Sequence, residues 1–239
     1  DTPPVPATLD WDLWLGPAPV RPYHPCYVPF SWRGWWDFGC GVLGDIACHN
    51  FSAIFKALKL GYPASVEACS SNYSCPPEIQ NETAPLSSVV RFNFPAAADR
   101  PALVINWYDG GMMPARPEEL EPDRQLGGGD GMLYVGDKGK IWNHRLIPEA
   151  KMKEYGAPPK VLPRSPGHYE EWIAACKGGQ PAGSNFVDHA GLLTEVVQMG
   201  VIALKLNTIL YWDAAAKRFT NSDQANQLMN LPYREGWSL

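Results

Sequence analysis

The sequence predicts an α+β domain built on an open, mostly antiparallel β-sheet, with helices packed mainly on one face. Three observations carry this reading. Between residues 64 and 142, segments of period two follow one another with no helical pattern between them, and such runs pair as antiparallel strands. Two amphipathic helical patterns then come one after the other toward the end of the chain. The 239 residues are 45% hydrophobic, enough to bury a sizeable core.

Taken in order, residues 1–38 are rich in Pro and aromatics and show no clean period. They read as a linker and substrate loop with one helical turn around Trp11, ahead of an α+β substrate-binding domain over 39–239. Residues 43–60 read as a helix, because Ile46, Ala47, Phe51, Ile54, Phe55 and Leu58 recur at three- and four-residue spacing, with Gly61 and Pro63 as stop signals. A strand is expected over 64–70. Leu86, Ser88, Val90, Phe92 and Phe94 alternate with polar or smaller neighbours, as do Leu103, Ile105 and Trp107. The Pro-bounded segment 95–101 between them makes this a hairpin. Residues 132–135 and 140–142 flank Gly136-Asp137-Lys138-Gly139, a second hairpin in the same sheet. A helix opens at Ser165-Pro166, with Tyr169, Trp172, Ile173 and Cys176 as one apolar face. A longer one covers 188–206, with Leu192, Leu193, Val196 and Val197 inward. Tyr211-Trp212 and Arg218-Phe219-Thr220 form a closing hairpin.

Composition removes several function classes. The net charge is −5 and no Lys/Arg cluster stands out, so a nucleic-acid partner is not expected. No apolar run reads as a bilayer span and no charged-then-apolar leader opens the chain, so no membrane partner is expected. The opening Asp1-Thr2-Pro3-Pro4-Val5-Pro6 reads as a linker, so residue 1 is not expected to be a natural start. None of the six Cys forms a Cys-x-x-Cys pair, and no metal site is expected. Cys69 and Cys75 either close a local disulfide or remain free thiols. Gly127, Gly128 and Gly129 lack a following Lys-Ser/Thr and read as a loop, not a phosphate cradle.

The chemistry concentrates in residues 39–49, Gly-Cys-Gly-Val-Leu-Gly-Asp-Ile-Ala-Cys-His. Gly39, Gly41 and Gly44 fit a dinucleotide fingerprint, and Glu67 stands about where its ribose-binding acid belongs. The context does not fit. No apolar strand precedes the turn, and Asp45 would repel a pyrophosphate at the helix N-terminus. Asp45 and His49 offer a different chemistry. They are four apart on a helix and share a face. A carboxylate near an imidazole can hold the ring for proton exchange with a substrate hydroxyl. An ordinary pair of polar surface residues has the same spacing, so spacing alone does not decide.

The ordered set Trp32-Arg33, Gly39-Cys40-Gly41 and Asp45-Ile46-Ala47-Cys48-His49 resembles the C-terminal domain of the glucose–fructose oxidoreductase / inositol dehydrogenase (Gfo/Idh/MocA) family. Residues 131–139 look like its late hairpin, and the run from Trp172 through Ser184-Asn185-Phe186 into 188–206 like its closing helices. The resemblance implies a dihydrodipicolinate-reductase-like C-terminal domain. It also implies NAD or NADP as cofactor, bound mainly by an N-terminal Rossmann domain that is absent from this chain. The family's Glu-Lys-Pro segment, whose Lys completes the catalytic set, is absent too. The implied reaction removes hydride from a secondary hydroxyl of a sugar, cyclitol or glycoside. His49 would take or relay the hydroxyl proton, Asp45 would hold His49 and the substrate, and Trp32, Arg33 and Trp36 would contact the carbohydrate. The chain alone is expected to be inactive, and the free sheet face is expected to form a homo-oligomer contact. Either a cytoplasmic or an exported, periplasmic location is compatible. Two other readings stay open: a non-redox eliminase or hydrolase acting on oxidised sugars, and a non-catalytic sugar-binding or oligomerisation module.

Overall fold

The computed structural model describes residues 2–127 and 130–238. Of the glycine run at 127–129, Gly128 and Gly129 lie outside the described residues. The chain divides into two compact units, one of residues 1–112 with 192–239 and one of residues 113–191. Position 38/39 therefore falls inside the first unit.

In the first unit the Pro-rich start carries one short helix, α1 (Trp11–Leu15), capped by the Asp10 side chain, and a 3-10 turn at Ser31–Gly34. Helix α2 (Gly41–Leu58) follows. It ends before Gly61, because Lys59 adopts the left-handed conformation (φ 46°) and its N–H closes on the Phe55 carbonyl. Strand β1 (Ser65–Ser70), helix α3 (Pro77–Glu82), β2 (Ser88–Phe94) and β3 (Leu103–Tyr108) come next. Leu86, expected in the β2 alternation, lies before the strand and is 88% exposed.

The second unit holds a separate three-stranded antiparallel sheet of β4 (Leu133–Gly136), β5 (Gly139–Trp142) and β6 (Arg145–Ile147). The expected hairpin is present with Asp137-Lys138 at its tip. It does not join the main sheet, and it packs on its own small core of Leu120, Leu126 and Ile147. Helices α4 (Glu149–Tyr155) and α5 (His168–Cys176) complete this unit. The α5 helix starts after Ser165-Pro166, because Gly167 takes a positive, non-helical φ of 147° and the first helical bond closes from Glu171 N–H to the Gly167 carbonyl. Its apolar face is not packed away: Tyr169, Trp172, Ile173 and Cys176 are all exposed.

The chain returns to the first unit through α6 (Gly191–Leu206), then β7 (Ile209–Asp213), β8 (Arg218–Phe219) and α7 (Asp223–Leu228). The main sheet has the order β3-β2-β1-β7-β8, and every neighbouring pair is antiparallel. Registers such as Val66 opposite Phe92, and Ser65 opposite Tyr211, set which residues share a face. Val66, Ala68, Val90, Phe92, Phe94, Trp107 and Leu210 point to one face and form the core with Leu43, Ala47, Phe51 and Phe55 of α2 and Val196, Val197 and Ala203 of α6. Full burial of each large apolar side chain contributes about 1.5–3 kcal/mol. Close packing of α6 depends on Gly200, where a Cβ would lie 2.5 Å from Phe92 Cζ and 2.9 Å from Leu43 Cδ2. The opposite sheet face presents Glu67, Cys69, Arg91, Asn106 and Tyr211 to solvent.

Two further readings meet the structure here. Cys69 and Cys75 are both free thiols. The segment Phe186–Leu206 has 21 residues and contains an 18-residue window of mean hydropathy 1.3, by length and composition alone within reach of a bilayer span, contrary to the sequence reading. More than half of that window is buried, and Leu193, Val196 and Val197 sit in the domain core, as expected of a core helix.

Candidate active site

The loop that leads into α2 is fixed before it reaches the helix. Arg21 donates to Asp37 Oδ2 at 2.6 Å and to Glu82 Oε2 at 2.7 Å, and its guanidinium lies 4.9 Å from the Tyr27 ring centroid and 5.4 Å from that of Trp35. Backbone bonds from Trp36 N–H to the Glu82 carbonyl and from Ala84 N–H to the Gly34 carbonyl tie the loop to the end of α3. The chain then folds back. Phe38 and Gly39 both donate to the Trp35 carbonyl, which brings Gly39 against the backbone of Arg33. A Cβ at Gly39 would sit 2.5 Å from the Arg33 carbonyl oxygen and 2.6 Å from its Cα, so only glycine fits this turn.

Arg33 is thereby aimed at α2. Its guanidinium stacks 4.4 Å from the Phe30 centroid and 4.6 Å from that of Trp32, and Nη1 donates to the Phe30 carbonyl at 3.3 Å. Nε lies 3.4 Å from Asp45 Oδ2 in a half-exposed ion pair. Asp45 and His49 are both exposed on α2, one helical turn apart. Among the described residues no hydrogen bond or ion pair joins Asp45 to His49; the partner of Asp45 is Arg33. Trp32, Arg33 and Asp45 are thus brought together, with His49 next along the same helix face.

Trp36 takes other neighbours. Its indole N–H donates to the Gln80 carbonyl at 3.1 Å, Lys205 Nζ lies 5.6 Å from its ring centroid, and the ring packs against the core. Lys205 and Arg21 were not singled out in the sequence, where neither belongs to a charge cluster or a recognisable spacing.

A dinucleotide does not fit the Gly39–Gly44 turn. The clearance at Gly39 is filled by Arg33, a Cβ at Gly41 would meet that of Ala84 at 2.7 Å, and one at Gly44 would meet that of Cys40 at 2.1 Å. The turn is preceded by a 3-10 segment, not a strand. Glu67, the candidate ribose acid, lies on the solvent face of the sheet, whereas α2 packs on the other face. Cys48, beside His49, has its thiol pKa pushed up by burial. Among the described residues no three His, Cys, Asp or Glu side chains converge as metal ligands do.

An antiparallel sheet with α2 and α6 on one face is consistent with the C-terminal α/β domain of an oxidoreductase. A model of the oxidoreductase family's C-terminal alpha/beta domain matches residues 1–68 and 123–239, and the chain belongs to that Gfo/Idh/MocA family. Among curated proteins none matches it in sequence.

Proposed function

We propose that this chain is the substrate-binding and proton-handling domain of an NAD- or NADP-dependent oxidoreductase acting on a secondary hydroxyl of a sugar, cyclitol or glycoside. The observation that carries this is the exposed face of α2, where Asp45 is paired to a loop-held Arg33 and His49 follows one turn on. An exposed imidazole beside a fixed carboxylate suits exchange of a hydroxyl proton. Trp32, stacked on Arg33, offers a flat apolar surface for carbohydrate C–H groups, and Arg33 and Asp45 offer a donor and an acceptor for hydroxyls. The nicotinamide cofactor supplies the redox chemistry and is held mainly outside this chain, whose own glycine turn does not receive it.

The test is oxidation of a panel of sugars, cyclitols and glycosides by the full-length protein with NAD or NADP. Turnover that is lost in an Asp45→Asn, His49→Ala double variant is expected. Undiminished turnover by that variant would remove the assignment.

The same reading includes a homo-oligomer formed through the open sheet face. Glu67 and Arg91 stand opposite one another in register there, with Asn106 and Tyr211 alongside. A strictly monomeric mass for the full-length protein would count against it.

A further inference from the structure

We propose that Arg234, near the C-terminal end of the chain, is a positioning residue for the substrate loop. It holds α1 in place and, through α1, sets how Trp32 and Arg33 are presented to a carbohydrate. The inference rests on the binding role proposed above for Trp32, Arg33 and Asp45.

Helix α1 is five residues long, too short to be stable by itself. Arg234 closes its C-terminal end. Nε donates to the Gly16 carbonyl at 2.6 Å, Nη2 donates to the Asp12 carbonyl at 2.9 Å, and Nη1 lies 2.7 Å from Asp12 Oδ1. The Arg234 N–H adds a bond to the Pro17 carbonyl at 3.2 Å, and the guanidinium lies 5.6 Å from the Trp237 ring centroid. The Arg234 side chain is only 14% exposed, so these bonds are better shielded than those of a surface ion pair. All three guanidinium nitrogens are engaged at once, a planar fork that the single ammonium of Lys cannot reproduce.

Helix α1 passes this hold to the loop. The Trp11 indole N–H donates to the Arg21 carbonyl at 2.9 Å, and the Trp11 ring stacks 6.1 Å from that of Tyr27. Trp14 meets Phe38 edge-on at 4.8 Å. The Tyr27 carbonyl accepts the Trp32 N–H at 2.7 Å, and Phe38 leads into the reversal at Gly39 that brings Arg33 to Asp45. Tyr23 and Tyr27 are buried in this aromatic cluster, outside the main core. Helix α2, which carries Asp45 and His49, is held instead by Leu43, Ala47 and Phe51 in the main core. Loss of Arg234 therefore displaces the binding loop and leaves His49 where it is.

The experiment compares wild type, Arg234→Ala and Arg234→Lys by amide hydrogen exchange of the whole chain and by kinetics of the full-length enzyme on the substrate that the sugar panel identifies. In Arg234→Ala, exchange should accelerate at the Trp32 and Gly39 N–H groups, while Val90 and Phe92 in β2 keep their protection. KM should rise about tenfold, the scale of one charged hydrogen bond to substrate, with kcat nearly unchanged. Arg234→Lys, which keeps the charge without the fork, should lie between the two. Unchanged exchange at Trp32 and Gly39 would overturn the proposal. So would an equal acceleration at Val90 and Phe92, which would make Arg234 a general stabiliser, or a fall in kcat at constant KM. If the wild-type enzyme oxidises no sugar, the function proposed above falls, and the exchange pattern by itself decides whether Arg234 holds the loop.

Discussion

Arg33 reaches Asp45 across the glycine turn that joins the aromatic loop to α2, with Nε 3.4 Å from Oδ2. The pair is half-exposed, so its ionic attraction contributes about 0–1 kcal/mol to stability. Stacking on Phe30 and Trp32 adds about 0.5–1 kcal/mol at exposed sites. Arg33→Ala should therefore cost less than about 2 kcal/mol in chemical denaturation, while substrate affinity of the full-length enzyme falls. A larger loss of stability would make Arg33 a structural clamp and not a ligand-facing group.

Gly39 sets the aim of Arg33. Gly39→Ala places a Cβ inside the Arg33 backbone and forces the turn to move, a strain of about 1–3 kcal/mol. Gly34→Ala meets no atom within 4 Å and should stay within about 0.5 kcal/mol of the parent. Thermal or denaturant melting of the two variants checks the difference. Equal stability of both would mean that the turn relaxes freely.

What the sequence disclosed follows from burial. Val90, Phe92 and Phe94, with Ile105 and Trp107, alternate visibly because one sheet face is packed and the other wet. Leu193, Val196 and Val197 gave away α6 for the same reason. The second unit was less legible. Strand β6 is three residues long, too short for a period, and the apolar residues of α5 follow a helical spacing without packing inward. In the site, the Asp45–His49 spacing was readable as a shared face, as was the nearness of Trp32-Arg33 to the turn. The Arg33–Asp45 contact was not, because it depends on the backbone reversal at Gly39. Trp36 next to Arg33 looked like part of the same surface, but the hydrogen bond to Gln80 turns its ring into another environment.

Acid should loosen the second unit through Glu121. Arg145 donates to both Glu121 oxygens at 3.1 Å, and the Glu149 N–H donates to one of them. These bonds hold the carboxyl at about 2, down from its usual 4.5. A depressed folded value means that the contribution is present above about pH 4.5 and is lost as pH falls toward 2. The Glu121 carboxyl resonance should titrate near 2, and amide protection in β5 and β6 should fall in that window. A midpoint near 4.5 would show that the bidentate contact does not persist in solution.

The decisive residue for the proposed chemistry is His49. It is exposed on α2, and its side chain makes no hydrogen bond or ion pair with another described residue, so its ring is available to a ligand. The groups that would hold a carbohydrate, Trp32, Arg33 and Asp45, are fixed by contacts that do not involve His49. His49→Ala therefore removes proton transfer while leaving the binding surface in place. Loss of a general base typically lowers the rate by about 10²–10⁴-fold. In the full-length enzyme kcat should fall by about that much, with KM changed far less. A change confined to KM would make His49 a binding residue only, and an unchanged kcat/KM would make the whole Asp45–His49 face structural.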